Sequence, residues 1–154
     1  MRFFQATAVI AGLVLLPSFP LIPLPAVAAD ETIGSLKKAS GQVFVVRDGQ
    51  PTPAHPGFKL HSGDTLETGL DGSLGVILRD DSLLSLGPSS HIAIEKFVFV
   101  PAEGKLGLTA RILRGTMAYV SGLIGRLAPE SATFVTPVAT IGVRGTHFAV
   151  RVSE

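Results

Sequence analysis

The sequence contains no cysteine. Disulfides, iron–sulfur clusters and thiolate zinc sites are therefore excluded, and a folded domain must cohere by packing. A basic surplus is also missing. All 12 acidic residues, and every basic residue except Arg2, lie at or beyond Asp30, so that stretch is nearly neutral. No basic run exceeds Lys37-Lys38. A nucleic-acid binder ordinarily carries excess Lys and Arg to displace counterions from phosphates, so no nucleic-acid partner is expected. Catalytic signatures are wanting as well. There is no G-x-S-x-G elbow, and Gly122-Leu123-Ile124-Gly125-Arg126 lacks the GK[ST] ending of a phosphate loop. His55, His61, His91 and His147 show no metal-binding spacing, although His55 and His61 share one Pro/Gly loop. We expect no enzyme, no cofactor and no metal.

What the chain does have begins with a leader. Arg2 supplies a positive start, Ala8 to Leu16 is apolar, and Val27-Ala28-Ala29 places small residues where a signal peptidase needs them. The expectation is a signal peptide over residues 1–29 and one domain over residues 30–154. The alternative is a retained anchor, but Pro17, Pro20, Pro23 and Pro25 interrupt the apolar stretch and disfavour a spanning helix. No later segment is long and apolar enough to span a membrane.

Beyond the leader the dominant period is two, which predicts an all-β fold. Leu106, Leu108, Ala110 and Ile112 alternate with Gly107, Thr109 and Arg111; Phe148, Val150 and Val152 alternate with His147, Ala149 and Arg151. Shorter strands are predicted at Gln42–Arg47, Leu74–Leu78, Leu83–Leu86, Ile92–Glu95, Phe97–Val100, Thr116–Val120, Thr133–Thr136 and Ala139–Val143. Asp48-Gly49 and Asp71-Gly72 supply tight turns. Pro51, Pro53 and Pro56 mark an extended loop unable to enter a central strand. Ser121–Leu127 is the one helix-like piece. Strands spaced about 8–12 residues apart leave no room for helical crossovers. Leu113-Arg114-Gly115-Thr116 and Val143-Arg144-Gly145-Thr146 echo one another; the simplest reading is a glycine bend ahead of each strand.

Polar clusters read mainly as turn chemistry. Asp64, Asp71, Asp80 and Asp81 sit in turn sequences, where Asp caps its own backbone. Ser89-Ser90-His91 is adjacent in sequence, but a catalytic triad is a matter of geometry rather than adjacency. Arg144-Gly145-Thr146 reads either as a turn anchor or as an exposed guanidinium for a carboxylate or phosphate.

Two signatures then carry a resemblance. Gly63-Asp64-Thr65-Leu66-Glu67-Thr68-Gly69 leads into Asp71-Gly72-Ser73-Leu74-Gly75-Val76-Ile77-Leu78-Arg79-Asp80-Asp81-Ser82, and later comes Thr136-Pro137-Val138-Ala139-Thr140-Ile141-Gly142-Val143-Arg144-Gly145-Thr146-His147-Phe148-Ala149-Val150. Together they resemble the FecR domain, over roughly Lys37 to Val152. The resemblance implies a small all-β domain, a twisted β-helix or rolled β-sandwich, in the bacterial periplasm. In the namesake regulators this domain relays receptor occupancy to a sigma factor. Only Met1 to Ala6 precede the apolar stretch here, so the expectation is a stand-alone exported domain without that relay.

The functional expectation is a periplasmic binding or sensing module for an envelope protein or glycan, with Thr136, Pro137, Arg144, Gly145 and Thr146 as candidate partner-binding residues. The alternatives are a self-assembling envelope protein, with Lys37 and Lys38 blunting one sheet edge, and a small hydrolase using Ser90 or Asp81. Leu78, Leu108, Ile141, Phe148 and Val150 are expected in the core, with Phe148→Ala costing about 3–5 kcal/mol.

Overall fold

The computed structural model describes residues 31–144 and 147–153. The expected signal peptide, Gly145, Thr146 and Glu154 lie outside the described residues. Among the described residues twelve strands form: β1 (Thr32–Ser40), β2 (Val43–Arg47), β3 (Gln50–Pro53), β4 (Lys59–His61), β5 (Thr65–Thr68), β6 (Ser73–Leu78), β7 (Leu83–Leu86), β8 (His91–Val100), β9 (Lys105–Val120), β10 (Ala132–Val135), β11 (Thr140–Gly142) and β12 (His147–Val152). A short helix, α1 (Leu123–Leu127), follows β9. The fold is all-β, as the period of two predicts.

One strand organises the rest. The first half of β9 pairs with β8 on one side and β10 on the other. Its second half pairs with β7 and β12. Two sheets therefore grow from β9: β3-β2-β5-β8-β9-β10-β11, and β4-β1-β6-β7-β9-β12. They fold over each other as a rolled sandwich around a single cluster of buried side chains.

The bend in β9 has two causes. His91 pairs with Arg114 while Ile92 pairs with Ile112, so Leu113 is an extra residue, a β-bulge. Two positions on, Gly115 takes φ 92°, a backbone conformation costly for any residue with a Cβ. The bulge reverses the alternation. Leu108, Ala110 and Ile112 point inward before it, and Met117 and Tyr119 after it. One strand thus presents an apolar face to the same core from both sheets. A second bulge at Glu95 does the same in β8, where Ile94 and then Phe97 are buried.

Several expectations are refined by this arrangement. The two predicted strands on either side of Gly115 are one strand, as are Ile92–Glu95 and Phe97–Val100. The proline loop contains β3, an exposed edge strand, where a missing N–H costs nothing. β1 pairs with both β4 and β6 and so is not an edge strand, although β4 reaches only Thr32 to Ser35, leaving Lys37 and Lys38 exposed with a neighbour on one side. One strand pair, β9 with β10, is parallel, because α1 and a 3-10 turn at Pro129–Ser131 carry the chain back across the sandwich. Leu78 and Leu108 are fully buried, whereas Ile141, Phe148 and Val150 are half-buried and pack on the core from its open side.

Candidate docking site at the sandwich corner

The strongest clustering of polar groups is internal. Asp64 is buried and takes a paired contact from Arg47, with Nε to Oδ1 at 2.8 Å and Nη2 to Oδ2 at 2.7 Å, while its Oδ2 also accepts from the His61 amide. Asp80 is buried too. It accepts from the Ser82 amide and hydroxyl and from the Ile124 amide, and so holds the start of α1 against the β6–β7 turn. The Ser82 hydroxyl also meets Tyr119 Oη at 3.0 Å and accepts from the Gly122 amide. Burial pushes the Tyr119 phenol above its ordinary 10.0, against the opposing effect of the Ser82 hydrogen bond. These are capping roles, as expected for Asp64 and Asp80, but buried rather than solvated.

Ser90 is likewise occupied. Its hydroxyl donates to the Gly87 carbonyl at 2.8 Å and accepts from the Thr116 amide at 3.0 Å; its amide donates to Thr68 Oγ1. His91, one position along the strand, points to the other face and sits 3.1 Å from Glu67. Asp81 is an exposed positive-φ turn residue. This arrangement gives Ser90 a structural task at the β9 bend rather than a nucleophile's exposure. Among the described residues, no group of three or more His, Asp or Glu is placed to hold a metal ion.

One hollow of about 550 Å³ lies beside Lys37, Lys38, Pro56 and Ser85, and others lie where the two sheets part. β10 leaves β9 after Arg111, and β12 joins it at Gly115, so Leu113 and Arg114 face a gap between them. Two hollows open there, sharing Arg151, Val152 and Ser153 as the ridge between them. One, of about 540 Å³, holds Arg114 and Arg151 beside Thr116, Ser89, Pro88 and Leu70. The other, of about 520 Å³, is apolar, lined by Leu113, Pro137, Val138, Ile141 and Val150. Leu70 is 90% and Val138 93% exposed, so both stand in solvent at the rims.

The predicted site residues divide. Thr136 is buried, and its backbone and side chain grip Ala139, with Thr136 N to Ala139 O at 2.8 Å and Ala139 N to Thr136 Oγ1 at 3.0 Å. That closes the β10–β11 hairpin and lifts Pro137 and Val138 into the apolar hollow's wall. Arg144 is exposed at the other end of the same hairpin, beside Glu130 and Pro129, about 16 Å away by strand rise. Thr136 and Pro137 are thus not brought together with Arg144. Arg114 and Arg151 were missed as site residues. The available signals were the Arg-Gly-Thr echo at Arg114 and the outward parity of Arg151.

These observations define the class: an all-β sandwich domain with an open, part-basic and part-apolar corner. The FecR protein family model matches residues 64–154, more than half of the chain, and the chain belongs to that family. No curated protein and no solved structure matches the chain significantly. The family is one of sensing and signalling domains, regulatory rather than catalytic in character. The match begins at Asp64, yet β1 lies inside one sheet and β2 pairs with β5, so the fold extends to the N-terminal side of the matched segment.

Proposed function

We propose that this chain is an exported, periplasmic sensing module that docks a protein of the cell envelope, without catalysing a reaction. Membership of a sensing and signalling family is the observation that carries this reading. The corner supports it, because two Arg side chains, a type enriched at interfaces, line a hollow that shares a ridge with an apolar one. The leader reading supports the location: the sequence from Arg2 to Ala29 has the order of a secretory signal. Among the described residues, no helix is long and apolar enough to cross a membrane.

The test is fractionation of bacteria expressing the tagged full chain, with N-terminal sequencing of the product. We expect release by osmotic shock and an N-terminus at Asp30 or Ala29. Recovery in the cytosol with Met1 retained contradicts the reading.

A second reading, self-assembly, is favoured by one observation. β12 pairs only with β9 among the described residues and so leaves an edge open for another strand. Light scattering distinguishes the two: a monomer at high concentration removes self-assembly, and a concentration-dependent polymer favours it.

A further inference from the structure

We infer that the corner binds an extended peptide with acidic residues at one end and apolar residues at the other, Arg151 gripping a carboxylate. This rests on the reading of the chain as a protein-docking module and names the chemistry of what it docks. Arg114 and Arg151 line one hollow, and among the described residues no Asp or Glu lines it. A carboxylate matches the guanidinium fork with two parallel hydrogen bonds. Arg151 carries the assignment; Arg114 adds positive field whatever else it contacts. Thr116, Ser89 and Ser153 bring hydroxyls to the same hollow.

The apolar half follows from the other side of the ridge. Past Arg151–Ser153 lie Leu113, Val138, Ile141 and Val150, so a ligand crossing the ridge passes from a basic to a greasy surface. Val138, 93% exposed at the rim of this hollow, gains from being covered. Among the described residues, no Phe, Tyr or Trp lines either hollow. A sugar ring therefore finds no aromatic face to stack on, which favours a peptide over an acidic glycan. The edge of β12, unpaired among the described residues, offers backbone groups beside the ridge for an extended chain.

The experiment is fluorescence anisotropy with the full chain and a labelled short peptide, aspartate-rich in its first half and valine- and leucine-rich in its second. We expect saturable binding that weakens as salt rises. Replacing the aspartates by asparagines, or Arg151→Gln in the protein, should each weaken it about tenfold or more. Val138→Asp should weaken it severalfold, and Arg126→Gln, on exposed α1 surface, should leave it unchanged. Equal binding of the aspartate and asparagine peptides, or indifference to Arg151→Gln, overturns the inference. So does Arg151-dependent binding of polygalacturonate in place of the peptide. If an envelope protein is captured as well by Arg151→Gln as by the parent, this inference fails while the docking reading stands. If no envelope protein is captured at all, the docking reading fails with it.

Discussion

Gly115 lies against Ser90 with no space for a side chain: a Cβ at Gly115 would sit 2.6 Å from the Ser90 Cβ and closer still to its Cα and Oγ. The contact fixes the point where β9 leaves one sheet for the other. Gly115→Ala meets both a positive φ and a backbone collision, so it should destabilise the domain by about 2–5 kcal/mol. That is a large part of the roughly 5–15 kcal/mol of a typical domain. Urea denaturation measures it. The exposed Gly49, where a Cβ meets nothing, provides the comparison: Gly49→Ala should cost about 1 kcal/mol, from φ alone.

Arg47 and Asp64 form a pair that is buried on one side only; the side chains are 35% and 1% exposed. Arg47→Ala leaves a buried carboxylate without its cation. A fully buried pair broken in this way costs about 3–5 kcal/mol. Solvent at Arg47 reduces the expected loss to about 2–3 kcal/mol. The double variant Arg47→Met with Asp64→Leu should recover part of that loss, by removing both charges. A double variant less stable than Arg47→Ala would contradict this account.

Tyr119 is the one tyrosine in the chain, so its titration can be followed directly by tyrosinate absorbance. Burial raises its folded pKa above 10.0. Below the unfolded value both states keep the proton, and the stability tied to the buried phenol is fully present. As pH rises from about 10 towards the folded pKa, only the unfolded chain releases the proton, so that stability is lost. The unfolding midpoint should therefore fall across this alkaline window. Tyr119→Phe should flatten the fall while costing about 1 kcal/mol at neutral pH through the lost Ser82 hydrogen bond.

Phe134 is fully buried and Phe148 half-buried, and the two rings meet edge to face at 5.0 Å, with Tyr119 as the third ring. Phe134→Ala should cost about 3–5 kcal/mol. Phe148→Ala should cost less, about 2–3 kcal/mol, because part of the ring already faces water. Thermal melts of the two variants side by side test that order.

The all-β fold was legible because alternation is local: Leu108, Ala110 and Ile112 state their facing within a few residues. Strand continuity was not. A glycine in a strand reads as a break, yet Gly115 is a bend within β9, and the bulge at Leu113 that reverses the facing leaves no mark in composition. β3 was masked by its prolines, and β4, of three residues, is too short to show a period. The break between the strands predicted at Thr133–Thr136 and Ala139–Val143 was legible, but the closure of that hairpin by Thr136 on Ala139 was not. The corner was not, because it joins residues 70, 113, 138 and 151 through pairings that skip along the chain. Arg144 stood out in sequence, but strand rise puts it at the far end of its hairpin from Pro137.

The central claim, that the sandwich corner is where a partner docks, is tested most directly by placing a photo-crosslinking side chain at Val138, and separately at Gln50 on the distant edge strand β3, in cells expressing the full chain. The account predicts a discrete protein adduct from position 138, lost on Arg151→Gln, and none from position 50. Adducts of equal yield from both positions, or none from position 138, would contradict it.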